Sequence, residues 1–177
     1  IILKGSDIQR YGTTPSGNYI RFVPESFQQV APVEMYRAKE KLLYRFISEV
    51  PVFTYDNQQT LSLNSCNIVI PDIDGLEMKY ILAILNSSVA AYFISKRFNS
   101  VKLLRSHIEQ MPIPVVPVDV QAPIIKKVDR IMNSSENISG LYEDLDADIM
   151  SLYGLTIAQV DTIQSALNGK SQFLKGC

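Results

Sequence analysis

Between Leu76 and Ile94 the chain is apolar almost without interruption, and Leu76, Tyr80, Ile81, Ile84 and Leu85 recur at helical spacing. Asn86-Ser87-Ser88 breaks the run and supplies side-chain oxygens suited to capping a new helix. The pattern therefore predicts two helices: Gly75 to Leu85, with Asp74 as its cap, and Val89 to Arg97. Apolar residues cover most of both, so the pair should be central and buried. The longest apolar stretch, Tyr80 to Ile94, falls short of the ~20 residues that span a bilayer. Without a charged-then-apolar leader either, the expectation is a soluble, cytoplasmic chain with no membrane partner.

Whatever folds around this pair comes from two dissimilar flanks. On the N-terminal side, turn chemistry from Tyr11 to Asn18 separates a strand or turn from a second short strand at Tyr19 to Phe22. Leu42 to Ile47, Val52 to Tyr55 and Ile68 to Ile70 are rich in β-branched and aromatic residues and should form one small sheet. Val33 to Lys41 suits either a strand approach or a helix running on through Ile47. On the C-terminal side, Pro112, Pro114, Pro117 and Pro123 fall within twelve residues. Proline fixes φ and removes a donor, which predicts an extended strap over 111–123. Beyond it, Ile124, Ile125, Val128, Ile131 and Met132 fit one helix, and Leu141, Leu145, Ile149, Leu152 and Tyr153 another that ends at Gly154. Thr156 and Gln159 make a capping box for a last helix, Ile157 to Leu167, stopped by Gly169. Residues 169–177 should be a disordered tail.

Composition narrows the chemistry. The 177 residues carry 17 Lys/Arg against 18 Asp/Glu, unlike a protein that coats nucleic acid by bulk charge. Residues 1–110 hold 12 of the cations and 10 of the acids, so the negative excess lies on the helical end. Cys66 and Cys177 give no disulfide framework. The first residue is Ile, which suggests a piece of a longer polypeptide.

Few catalytic patterns survive. There is no Gly-x-Ser-x-Gly elbow, His107 is the single histidine, and no Gly-rich turn leads from strand to helix. Asp72, Glu77 and Lys79 imitate the metal core of many nucleases, but two residues apart on one helix Glu77 and Lys79 point in different directions. What remains is a face suited to polyanions. Lys96, Arg97, Lys102, Arg105 and His107 occur without an intervening acid, and Arg37, Lys39, Lys41 and Arg45 form a second group containing Glu40. Cations and amides of this kind neutralise phosphates and fork onto base edges.

Five segments agree in order and spacing with a known family: Leu-Lys-Gly-Ser-Asp-Ile-Gln-Arg-Tyr at 3–11, Glu-Lys-Leu-Leu-Tyr-Arg-Phe-Ile-Ser at 40–48, Tyr-Ile-Leu-Ala-Ile-Leu-Asn-Ser at 80–87, Met-Pro-Ile-Pro at 111–114 and Leu-Tyr-Gly-Leu-Thr at 152–156. Together they resemble the TaqI-like C-terminal specificity domain over about residues 1–165. The resemblance implies a target-recognition domain of a type IIG restriction endonuclease or related adenine-N6 DNA methyltransferase. It implies that catalysis, with S-adenosylmethionine and Mg, belongs to other parts of the polypeptide and that this chain alone is inactive and holds no cofactor. It further implies that loops after Asp7-Ile8, around Tyr55 to Gln59 and between Phe98 and Arg105 face double-stranded DNA, and that the helices from Ile124 to Tyr153 dock on the methyltransferase or nuclease portion.

The expected fold is α+β: a small, twisted, mostly antiparallel sheet packed with two buried helices, then a Pro-rich strap and C-terminal helices. The expected division is a reader at 1–110, the strap at 111–123 and a docking segment at 124–168. The residues expected to contact DNA are Arg10, Lys39, Lys41, Arg45, Asn57, Gln58, Lys102, Arg105 and His107. Arg105 would suit guanine, and Asn57 or Gln58 adenine. The rival reading is a protein-interaction module that uses the apolar C-terminal helices and never touches nucleic acid.

Overall fold

The computed structural model describes residues 1–28, 30–134 and 138–168. Strands come first and helices last: β1 (Ile2–Leu3), β2 (Ile8–Gln9), β3 (Gly12–Thr13), a one-turn α1 (Val33–Tyr36), β4 (Lys41–Arg45), β5 (Phe53–Asp56), β6 (Leu61–Ser62) and β7 (Cys66–Val69). The helices α2 (Met78–Asn86), α3 (Ser88–Arg97), short α4 (Arg105–Ile108), α5 (Val118–Asn133), α6 (Ser139–Leu152) and α7 (Ile157–Leu167) follow. The architecture is mixed α+β, as the sequence implies.

β4 is the centre of a three-stranded antiparallel sheet, flanked by β5 and β7. β2 and β3 form a small antiparallel hairpin, and β1 pairs in parallel with β6. Alternation along β4 divides the molecule. Leu42 and Tyr44, with Phe53 opposite, face the helices and join the large core; Leu43, with Val52 and Cys66, faces Leu3 and Ile8 in a smaller one. Burial in that smaller core pushes the Cys66 thiol up to about 12.

The expected strand at Tyr19 to Phe22 does not form. Phe22 is drawn instead into an aromatic cluster with Phe27 and Tyr36, at 6.0 and 5.5 Å between ring centroids, which competes with strand pairing. The helix at Val33 stops after one turn because Lys41 and the residues after it are committed to the sheet.

The buried helical pair is present, with Ser87 capping α3 through its Oγ, which accepts from the Ala90 N–H at 3.2 Å. Its start is later than expected. Gly75 turns left-handed at φ +77°, and the Glu77 N–H donates to Gln121 Oε1 at 2.9 Å, so the cap arrives from α5 and not from Asp74. Gln121 also donates to the carbonyls of Gly75 and Val116, at 2.7 and 2.9 Å.

These bonds explain a second correction. The extended strap ends at Pro117, and α5 begins at Val118 with Pro123 inside it. An interior proline costs about 3 kcal/mol. Three bonds of about 1 kcal/mol each offset that cost, leaving the burial of Ile124, Val128 and Ile131 as the net gain. α6 ends at left-handed Gly154, and α7 carries the Thr156/Gln159 capping box. The expectations for Gly169 and the tail concern residues outside the described ones.

No boundary in packing separates reader from helices. Val128, Ile131, Tyr142, Leu145, Ile149, Ile163 and Leu167 lie in the same core as Leu42, Phe53 and Ile84. Among the described residues no single helix is long and apolar enough to cross a membrane; α2 and α3 meet that length and composition only as a pair, bent by 60°.

Candidate nucleic-acid interface

The N-terminal motif folds into the body of the molecule. Gly5 lies so close to the Ser65 carbonyl oxygen that a Cβ there would collide with it, and the Gly5 N–H donates to Ser65 Oγ at 3.0 Å. Asp7 Oδ2 accepts from the Lys4 N–H at 3.0 Å, and Ile8 is wholly buried. Arg10 is buried too. Its Nε donates to the Pro51 carbonyl at 3.1 Å, the Tyr142 hydroxyl donates to the Arg10 carbonyl at 3.2 Å, and burial lowers the guanidinium pKa despite the nearby Asp146. A side chain held there does not reach a duplex at the surface.

Lys41 is likewise internal. Its side chain is 0% exposed; Nζ pairs with Asp56 Oδ2 at 2.5 Å and donates to the Tyr36 carbonyl at 3.0 Å. Asp56 organises the loop that follows it, accepting from the Thr60 N–H at 3.0 Å, the Thr60 hydroxyl at 2.5 Å and the Gln58 N–H at 3.4 Å. Burial favours the protonated acid, but Lys41 and Thr60 outweigh it and the Asp56 pKa is lowered. The loop so held presents Asn57, Gln58 and Gln59 to solvent. Gln59 is left-handed at φ +55° and donates to the Arg37 carbonyl at 2.8 Å, which ties the amides to the exposed turn carrying Arg37 and Lys39.

The second group assembles at the other end of β4. The segment after α3 runs back along the sheet: the Ser48 N–H donates to the Val101 carbonyl at 3.0 Å and the Leu103 N–H to the Phe46 carbonyl at 2.8 Å. Lys102 is exposed, and the Arg105 side chain is 86% exposed with Nε on Glu109 Oε1. Arg45 is half-buried and donates through Nε to the Ile8 carbonyl at 2.7 Å. His107 stacks on Phe98 at 4.0 Å between centroids and accepts from the Leu104 N–H at 3.3 Å, so it fixes the start of α4. Arg97, part of the same run of cations but not among the residues expected to contact DNA, stands 5.9 Å from the centroid of the same Phe98 ring.

The structure thus brings Lys39, Asn57 and Gln58 together at one end of the sheet and Arg45, Lys102, Arg105 and His107 at the other, while Arg10 and Lys41 sit inside. The acidic helical end is partly neutralised. Lys127 bridges Asp144 and Asp148 at 2.7 and 2.5 Å, and Asp146 turns inward to accept from the Ser88 N–H at 2.7 Å, at the positive end of α3. Burial raises the Asp146 pKa.

Two other readings find little support in this geometry. The nuclease imitation is dispersed, because Lys79 pairs with Asp129 at 2.6 Å and lies 5.2 Å from the Tyr55 ring centroid. Among the described residues no group of three His, Cys, Asp or Glu is placed to hold a metal. The apolar faces of α5 to α7, which the interaction reading needs free, are mostly spent in the core, although Ile157 remains exposed.

The mixed α+β scaffold thus displays exposed cations from loops at both ends of its central strand, and amides at one of them. The TaqI-like C-terminal specificity domain model matches residues 1–113, and the chain belongs to that family. No curated protein matches the chain. The match ends at the strap, short of the Leu-Tyr-Gly-Leu-Thr segment at 152–156 that the sequence comparison had included. A domain of this family confers specificity and is not itself catalytic.

Proposed function

We propose that this chain recognises a specific double-stranded DNA sequence as the specificity domain of a larger restriction-modification polypeptide, a type IIG restriction endonuclease or a related adenine-N6 DNA methyltransferase. The carrying observation is family membership over residues 1–113. The placement of the exposed side chains supports it. The two groups lie beyond opposite ends of β4, Lys39 two residues before it and Lys102 opposite Ile47, two residues after it. In this reading Lys39 at one end and Lys102 with Arg105 at the other meet phosphates, with Asn57, Gln58 and Gln59 directed to base edges. His107 and Arg45 support the second group, and Arg10 and Lys41 hold the scaffold. S-adenosylmethionine and Mg belong to the catalytic parts, and no step through either is assigned to this chain.

The test uses the intact polypeptide. Lys102→Ala with Arg105→Ala should weaken binding to a selected duplex and reduce the slope of log K against log salt by up to about 1.8, at ~0.9 per phosphate contact. An unchanged affinity and slope would remove this segment from the interface.

A further inference from the structure

We infer that Ile47 and Leu104 read thymine, through its 5-methyl group, within the DNA site. This rests on the DNA-recognition reading above and adds to it a chemical class of contact. Ile47 and Lys102 face each other across an antiparallel bridge, so their side chains leave the same side of the ribbon. Alternation turns the next residue, Leu103, into the core, where it is buried. Leu104, extended at φ −88° and ψ 156°, returns to the face of Lys102. The outcome is a strip in which cations alternate with aliphatic side chains.

Ile47 is 61% exposed and Leu104 40% exposed. Scattered apolar residues on a surface are ordinary. Here they are gathered on one short ribbon whose backbone is pinned by the Ser48 and Leu103 bonds, and Lys102 and Arg105 flank them. Glu49 follows where the chain bends away, and Glu109 is paired with Arg105. A surface with cations at its rim and aliphatic groups between them complements a major groove. There the phosphates carry the charge and the thymine methyl is the apolar group at the base edge. A lipid or protein partner would not require this alternation within one pleat.

The bound sequence is first selected from randomised duplexes with the intact polypeptide, and each thymine of the selected site is then replaced by deoxyuridine. Loss of a buried methyl should weaken binding about fourfold at a contacted position, the equivalent of ~0.8 kcal/mol. Ile47→Ala or Leu104→Ala should weaken binding to the thymine duplex and abolish the difference between thymine and uracil at that position. Both side chains are partly solvated, so neither change opens a core. Specific, salt-dependent binding with no effect of deoxyuridine at any position, or a selected site without thymine, would overturn the inference and leave DNA recognition standing. Variants that weaken thymine and uracil duplexes equally would also overturn it, and would assign the strip to a wedge between base pairs or to a neighbouring protein surface. Absence of any sequence-selective binding would overturn the underlying reading instead.

Discussion

Replacing Lys41 by Met separates an internal role for this lysine from the DNA contact that its position in a basic run suggests. The ammonium is wholly buried against Asp56, whose side chain is 8% exposed. Removing one partner of a buried pair costs about 3–5 kcal/mol, because the other charge is stranded. Asp56 keeps the Thr60 and Gln58 donors, which places the loss near 3 kcal/mol, the lower end of that range. With a urea m-value of roughly 2 kcal/mol/M, the midpoint should fall by about 1.5 M. Adding Asp56→Asn removes the stranded charge while keeping an acceptor for Thr60, so Lys41→Met with Asp56→Asn should recover at least half of the loss. The pH dependence has a definite sign. The folded Asp56 pKa is lowered, so its contribution is complete above the unfolded carboxylate value of about 3.9 and disappears as pH falls through the folded value. Lys41→Met should therefore flatten the acid limb of the stability curve. A midpoint shift equivalent to less than about 1 kcal/mol, together with a weaker salt slope for duplex binding, would refute the argument and return Lys41 to the DNA surface.

Asn86→Ala should cost about 2–3 kcal/mol in urea denaturation, since the Asn86 amide both accepts from the Phe53 N–H at 2.9 Å and donates to the Phe53 carbonyl at 3.0 Å inside the core. Gly5→Ala should cost about 1–3 kcal/mol through its collision with the Ser65 backbone, measured the same way. For Asp146 the sign is opposite to that of Asp56. Its folded pKa is raised by burial, so the carboxylate is a stability penalty that is complete above the folded value, shrinks as pH falls below it and is gone below the unfolded carboxylate value of about 3.9. Asp146→Asn keeps an acceptor for the Ser88 N–H and should be tolerated better than Asp146→Ala by about 1 kcal/mol. Its advantage relative to the parent chain should be largest near pH 7 and shrink in acid, as thermal melts across pH would record.

Features set by neighbours in sequence were legible; those set by distant partners were not. The Ser87 break, the helix after it and the Thr156/Gln159 box depend on local periodicity and capping, and they appear where the pattern put them, as does the body of α2. The start of α2 and the position of Pro123 were misjudged for one shared reason. Gln121 satisfies the entrance to α2 from 44 residues away, and nothing near Asp74 or Pro123 reveals it. The same holds among the candidate contacts. Lys39 and Lys41 look alike in a basic run, but the β4–β5 register sets Lys41 opposite Asp56 and takes it out of solvent. Arg10 is drawn inward by the Pro51 carbonyl and the Tyr142 hydroxyl, the latter 132 residues away. Charge along a sequence shows where cations occur, whereas pleat and burial decide which of them reach a partner.

The shared core bears on how such a module could be transplanted. Family similarity stops at residue 113, yet Tyr142 and Asp146 hold the hairpin and the start of α3 from the far side of that point. A graft cut at the strap would bring over recognition loops while leaving Ile84, Leu85 and Ala90 without the helices that cover them. Exchange of specificity between relatives should therefore succeed when the segment through Leu167 travels as one inherited piece. It should fail, as loss of folded protein before any loss of sequence preference, when the exchange follows the similarity boundary.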